Sequence, residues 1–458
     1  MLELMITAPA SGSGKTVLTC ALLAALKKRG MDPCAFKCGP DYIDPMFHRS
    51  VLGVDSHNLD LFLSDEDTVR ALRDDYGNQQ GSIVVEGAMG FYDGLGGSTD
   101  RASAWHAADT LNLPVLLAVR PKGASLTLAA QINGLRTFRD PSHIAGIFLN
   151  DCSPILYKSL KPTLERETGL PVLGYLPHME EAVLESRHLG LQTAGEIKDI
   201  AARIDRVAQT LEETMDWDQL SALCERPDNF FYRPHQQPAR SPLPVIAVAK
   251  DEAFCFTYAE TLDALRQARA ELVYFSPLRD KKLPESACGL YLPGGYPELY
   301  AARLSENASM RRSVREAVSH GLPTVAECGG FLYLGQTLQG TDGKAYPMAG
   351  YLPGDGIRTP KLVRFGYSEL TADTDSLLFR KGESVPVHEF HYWDSTQNGD
   401  CLTAVKPLTG RSWRCGFTNQ RLYAAFPHLY FPGRPQMAAR FVREAEFYRK
   451  ERSGHDKD

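Results

Sequence analysis

Residues 2–30, LELMITAPASGSGKTVLTCALLAALKKRG, leave this chain little freedom in how it begins to fold. A short apolar run, LELMITA, ends in a turn rich in glycine and serine. The turn passes through Lys15 and Thr16 into a segment with Leu18, Leu22 and Leu26 at helical spacing, closed by basic residues and Gly30. A strand, a glycine turn and a helix in that order predict a parallel strand whose crossover helix opens on a phosphate-binding loop. Gly12 and Gly14 let backbone N–H groups, with that of Ser13 between them, turn toward phosphate oxygens at the helix N-terminus. Lys15 is placed to reach the β- and γ-phosphates of ATP, and the Thr16 hydroxyl to ligate Mg²⁺. The first glycine of the usual GxxxxGK spacing falls on Pro9, so the loop is a variant.

Further apolar runs continue the pattern: SIVVEGA (82–88), NLPVLLAV (112–119), AGIFLN (145–150) and LPVLGYLP (170–177). Strands alternating with helical segments predict an α/β unit over 1–212, with a parallel sheet covered on both faces. From 213 to 243 the sequence is polar and proline-dotted without sustained periodicity, and reads as a linker. A second α/β series starts at 244 and runs to about 450, leaving 451–458 as a solvated tail. Two or three domains suit 458 residues, too many for one ordinary core, and the two series read here make two.

Carboxylates that complete a phosphate-transfer site are at hand. Glu86 ends the strand SIVVE, where an acid serves Mg²⁺. The kinked loop KCGPDYIDPMFH (37–48) adds Asp41, Asp44 and His48 as candidates for metal or substrate contact. In the second unit, PTVAECGGFLYLG (323–335) puts Cys328 between an apolar strand and a helix, a nucleophile-elbow pattern. A helix N-terminus there predicts a lowered thiol pKa. Gly294 and Gly295, in LPGGYPELY (292–300), are candidate oxyanion donors, and His428, in AFPHLYFPG, is the candidate base. VHEFHYWD (387–394) misses HExxH by one residue and reads as strand, and CAFKC (34–38) lacks CxxC spacing, so neither predicts zinc.

A net charge of −6 argues against a nucleic-acid or anionic-membrane footprint. No apolar run approaches the ~20 residues that span a bilayer. Ten cysteines in a chain this long are too dilute for a disulfide scaffold. With no signal-type leader, the expected compartment is the cytoplasm, and a homodimer is a candidate assembly.

The joined motifs resemble the cobyrinate a,c-diamide synthase family, glutamine-dependent amidases of corrin and nickel-tetrapyrrole biosynthesis. The resemblance rests on SGSGKT, GPDYIDPMFH, NLDLF (58–62), VVEGAMGFYDG (84–94), SRHLGL (186–191), IAVAKDEAFCFTYAETLDAL (246–265), FSPLRD (275–280), LPGGYPELYAARLSEN, AECGG and HEFHY. It implies a dethiobiotin-synthetase-like P-loop domain followed by a class I, flavodoxin-like glutamine amidotransferase domain. It further implies ATP and Mg²⁺ as cofactors, with glutamine and a tetrapyrrole polycarboxylic acid as substrates. Lys15 and Thr16 match the phosphate and metal contacts, Glu86 with Asp41 or Asp44 the acidic residues, Asn150 the base reader, and Cys328 and His428 the glutaminase pair. The expected acceptor is cobyrinate, with nickel sirohydrochlorin or hydrogenobyrinate as alternatives. Departures are Arg120 in place of an aspartate, Asp151 after Asn150 in place of a base, and Tyr430 where amidotransferases carry a glutamate. A P-loop positioning or partition ATPase would leave the second unit idle, and a lone cysteine hydrolase would leave the loop idle.

Overall fold

A computed structural model describes residues 1–78, 80–180, 194–226 and 242–455, in two compact units, Met1–Pro234 and His235–Asp458. The motif SRHLGL lies outside the described residues.

The first unit is built on seven parallel strands: β1 Leu2–Thr7, β2 Pro33–Cys38, β3 Asp55–Leu59, β4 Ser82–Glu86, β5 Val115–Val119, β6 Ile144–Asn150 and β7 Val172–Leu176. Their order is β3-β2-β4-β1-β5-β6-β7. Every residue of β1, β2, β4 and β5 is buried, as expected for strands covered on both faces. The helix Lys15–Lys28 lies over the sheet, with Leu22 and Leu26 in one core with Leu4, Val84, Leu116 and Phe148. Because all seven strands run the same way, the loops at their carboxyl ends gather along one edge, where ligands bind in such sheets.

The expected linker contains a helix. Trp217–Cys224 is helical, capped by Asp216, whose carboxylate accepts the Gln219 N–H at 3.0 Å. Leu220 and Cys224 are buried in the core that holds Leu2 and Leu4, and Glu225 bridges to Leu2. The cap and the Leu220/Cys224 spacing were a readable signal, masked by the polar residues between them.

The second unit has a sheet ordered β18-β19-β11-β10-β8-β9, from β8 Val245–Ala249, β9 Glu271–Phe275, β10 Ala287–Leu292, β11 Thr324–Glu327, β18 Phe417–Asn419 and β19 Leu422–Ala425. Only the edge strand β18 pairs antiparallel. A further sheet, absent from the sequence reading, contains β12 Thr337–Gln339, β13 Ala345–Pro347, β14 Asp355–Ala372, β15 Ser384–Ser395, β16 Leu402–Val405 and β17 Ser412–Cys415. The expected tail is also corrected. The last helix runs Pro435–His455, and Glu451 on it accepts from Arg421 at 2.7 Å, so the pair holds that end of the helix. No helix among the described residues is long and apolar enough to cross a membrane.

Candidate active sites

In the first unit, β1 delivers the chain into the loop Ala8–Gly14. Gly12 (φ 77°) and Gly14 (φ 97°) are both left-handed. Gly14 is also held to glycine by contact, because a Cβ there would lie 2.0 Å from Asn150 Nδ2. Asn150, at the end of β6, donates that amide to the Ser13 carbonyl at 3.0 Å. The candidate base reader is thus committed through one donor to the loop itself. Arg120, at the end of β5, donates to the Gly12 carbonyl at 3.2 Å and pairs with Asp151, whose other oxygen lies 2.9 Å from His178 Nδ1. The two departures from the family pattern therefore meet as one ion pair.

Lys15 donates to the Ala10 carbonyl at 3.3 Å and to the Met89 carbonyl. Burial, then the neighbouring Lys37, lowers its pKa to about 8. Thr16 Oγ1 donates to Glu86 Oε1 at 2.7 Å. The sequence reading assigned no role to Lys37, yet its ammonium is central: Nζ lies 2.7 Å from Glu86 Oε1 and 2.5 Å from Asp44 Oδ2. β2 pairs β4 with Lys37 opposite Glu86, and that register puts the lysine in the site. The signal was a lysine in a fully buried strand, which requires a partner. Burial alone would lower the Lys37 pKa, but Asp44 and Glu86 outweigh it and hold the group protonated. Burial likewise opposes Asp44 ionisation, and Lys37 outweighs it, leaving Asp44 below the usual carboxylate range.

Glu86 is pushed up by burial despite Lys37. Its Oε2 is buried with no hydrogen-bond partner among the described residues. Asp41 is pushed up by burial and by Asp44, and its Oδ1 accepts the Ile43 and Asp44 N–H groups at 2.7 and 3.2 Å. That pattern shapes the loop from 41 to 44. His48 lies behind the site, fully buried with Nδ1 2.9 Å from Ser56 Oγ. Burial lowers its pKa to about 4, so it stays neutral. No group of three or more histidine, cysteine or acidic side chains poised for a metal occurs among the described residues.

In the second unit, β11 ends at Glu327, and Cys328 makes the turn with φ 46° and ψ −101°, a conformation L-residues rarely hold. The Cys328 N–H donates to the Ala425 carbonyl at 2.8 Å, which fixes the elbow to β19. His428 follows β19, and its N–H donates to the His388 carbonyl at 2.9 Å. Cysteine and histidine meet at Gly294. A Cβ there would lie 2.5 Å from His428 Cε1 and 3.5 Å from Cys328 Cβ. Only glycine leaves room for the imidazole, and the same residue was a candidate oxyanion donor. Gly295 follows it, with its N 3.2 Å from where a Gly329 Cβ would stand.

The expected lowering of the thiol pKa is overturned. Burial raises the Cys328 thiol strongly, and the carboxylates of Glu298 and Glu389 add to it. The helix it caps, Gly329–Leu334, is too short to compensate. The resting sulfur is therefore a thiol, and needs a base to become a nucleophile. HEFHY is strand, as read: His388 and His391 both lie on β15. Burial, then His428, lowers the His388 pKa to about 3. His391 stacks on Phe426 at 4.0 Å and lies 3.0 Å from Glu389.

The comparisons with known proteins match each of the two units to a family model. Residues 4–191 match a model described as CobQ/CobB/MinD/ParA nucleotide binding domain, and residues 245–436 one described as CobB/CobQ-like glutamine amidotransferase domain. The fold and sites therefore define a nucleotide-binding unit joined to a glutamine amidotransferase unit. Over its whole length the chain is similar to cobyrinate a,c-diamide synthases. It is 37% identical to that of Clostridium acetobutylicum, covering 97% of this chain and 100% of the relative. It is 38% identical to that of Salmonella typhimurium, covering 95% and 96%. The chain belongs to the cobyrinate a,c-diamide synthase family.

Proposed function

We propose that this chain is a carbon–nitrogen ligase that amidates the a and c side-chain carboxylates of cobyrinate, with ATP activating the acid and glutamine supplying nitrogen. The observation that supports it most is the presence of two complementary sites in one chain. Lys15, Thr16, Lys37 and Glu86 surround a phosphate loop, and Cys328 and His428 converge on Gly294.

A carboxylate resists ammonia because oxide is its leaving group. Transfer of the γ-phosphoryl of ATP to the carboxylate oxygen gives an acyl phosphate and ADP. Ammonia then attacks the carbonyl, phosphate leaves, and the amide forms with release of a proton. Lys15 and Lys37 place two ammonium groups where charge grows on the transferring phosphoryl. Thr16 and Glu86 fit Mg²⁺, since Glu86 Oε2 is a buried carboxylate oxygen with no hydrogen-bond partner among the described residues. When bound, that ion supplies positive charge to the β- and γ-phosphate oxygens. Asp44 is committed to Lys37 and serves the site by holding that ammonium in place.

Ammonia in water at neutral pH is mostly ammonium, and glutamine hydrolysis within the protein delivers it unprotonated. His428 takes the Cys328 S–H proton as sulfur attacks the glutamine amide carbon. Backbone N–H groups at Gly294 and Gly295 receive the oxyanion. The imidazolium protonates the departing nitrogen, releasing ammonia and leaving a γ-glutamyl thioester. Water, deprotonated by His428, cleaves the thioester to glutamate and restores the thiol.

The test is incubation with ATP, glutamine and a panel of tetrapyrrole acids, read by mass. Two carboxyl-to-amide conversions on cobyrinate, dependent on both co-substrates, are expected. Conversion of nickel sirohydrochlorin or hydrogenobyrinate alone would reassign the acceptor. Nucleotide hydrolysis with no amide on any acid would overturn the reading.

A further inference from the structure

A histidine acting as base needs a group on the far side of its ring to fix its tautomer and stabilise its protonated form. The position where the resemblance expects an acid holds Tyr430, which packs edge-on against Tyr258 at 5.1 Å. The fold brings a different carboxylate to this imidazole. We propose that Glu327, the residue directly before the nucleophile, orients His428 and stabilises its imidazolium. This rests on Cys328 and His428 being the glutamine-hydrolysing pair.

Glu327 Oε2 lies 3.7 Å from His428 Nδ1, and the two side chains are 1% and 2% exposed. On its other side the ring approaches Gly294: Cε1 and Nε2 lie 2.5 and 3.4 Å from the point where a Gly294 Cβ would stand, and Cys328 Cβ lies 3.5 Å from the same point. The carboxylate is fixed independently of the ring. Oε1 accepts the Leu429 N–H at 3.1 Å and Oε2 accepts the Tyr291 hydroxyl at 3.0 Å. Because Leu429 follows His428, Glu327 holds both the backbone beside the imidazole and the imidazole itself. β11 pairs β19 with Glu327 opposite Ala425, which sets this distance before any side chain adjusts.

The turn at Cys328 lets consecutive residues address opposite edges of one ring. As the S–H proton moves to Nε2, the ring becomes cationic with N–H on both nitrogens. Nδ1–H then faces the Glu327 carboxyl group. In this low-dielectric setting the ion pair shortens to a charge-assisted hydrogen bond. Glu327 is thus a positioning residue acting through His428. A buried glutamate that only held Tyr291 and Leu429 would leave the histidine titration untouched.

Glu327→Gln keeps the shape and removes the charge. Glutamine hydrolysis is expected to fall ~10²- to 10⁴-fold. The acidic limb of its pH profile should move to lower pH, because the imidazolium loses its counter-charge. Glutamine KM should change by less than about twofold, and ammonia-driven amidation should persist. A hydrolysis rate within about threefold of the parent, or a loss of rate with the acidic limb unmoved, would overturn the proposal. If Glu327→Gln does not fold, Tyr291→Phe carries the test. Removing that hydroxyl concentrates carboxylate charge on the ring and should move the limb to higher pH, and an unmoved limb refutes the role. Cys328→Ser separates the two readings. If it hydrolyses glutamine, the pair itself is wrong; if it is inert while Glu327→Gln behaves as the parent, only Glu327 is misassigned.

Discussion

The phosphate-loop site and the thiol site solve charge in opposite ways. The first gathers charge and buries it: Lys37 lies between Glu86 and Asp44, with Thr16 on the same carboxylate oxygen of Glu86. Such a cluster is stable only while its members pair. It presents preorganised ammonium groups for an anion that arrives fully charged. The second holds its sulfur as a neutral thiol. Its thiol is raised by burial, and the neighbouring His388 is held neutral. Fixed charge suits phosphoryl transfer, where charge is present throughout. Charge made on demand suits amide cleavage, where a standing imidazolium could not act as base.

The largest effects should come from breaking the two sites separately. Lys15→Ala should lower amidation ~10³-fold with either glutamine or ammonia, since phosphoryl stabilisation serves both. Ammonia-driven synthesis at parental rate would remove Lys15 from the site. Cys328→Ser should abolish glutamine-driven amidation and leave ammonia-driven synthesis within about twofold. If both nitrogen sources fail together, the two sites are not divided as described.

Gly294→Ala sharpens the contrast, because a methyl 2.5 Å from His428 Cε1 must displace the imidazole. Glutamine hydrolysis should fall ~10²-fold, as for a misplacement of about 1 Å. Ammonia-driven synthesis is the control, and an unaffected hydrolysis rate would place the histidine elsewhere.

The pH dependence separates the sites again. Burial, then Lys37, lowers the Lys15 pKa to about 8, and a bound polyphosphate favours its charged form. More protons are bound with nucleotide than without. ATP affinity should therefore be flat below about pH 8 and fall by up to about tenfold per unit above it. A flat profile to pH 9.5, roughly, in direct titration would refute the Lys15 contact.

The smallest expected effect concerns Arg120, which holds the Gly12 carbonyl. Turning that carbonyl away keeps the loop N–H groups facing the phosphates. Arg120→Ala should raise the KM for ATP ~2- to 5-fold with kcat little changed, as expected for a half-exposed contact. An unchanged KM would mean that the loop holds its shape alone.

The two elbows were legible because each is a local event. SGSGKT between an apolar run and a helix, and AECGGFLYLG, carry strand, turn and helix signals within a dozen residues or so. The helix Trp217–Cys224 was missed although its cap and spacing were present, because proline and polar neighbours outweighed its apolar positions. The thiol pKa was misjudged for another reason. Sequence shows that a helix follows Cys328, but not that the sulfur is buried with the carboxylates of Glu298, Glu389 and Glu327 acting on it.

By itself, the sequence determined that one chain carries a phosphate loop and a cysteine elbow on separate α/β units, since short-range periodicity and turn chemistry set those features. Tertiary structure alone decided that Lys37 faces Glu86, that Arg120 meets Asp151, and that Glu327 stands beside His428. Those pairings depend on strand register and strand order, which join residues from 31 to 101 positions apart in the chain and leave no local trace in it.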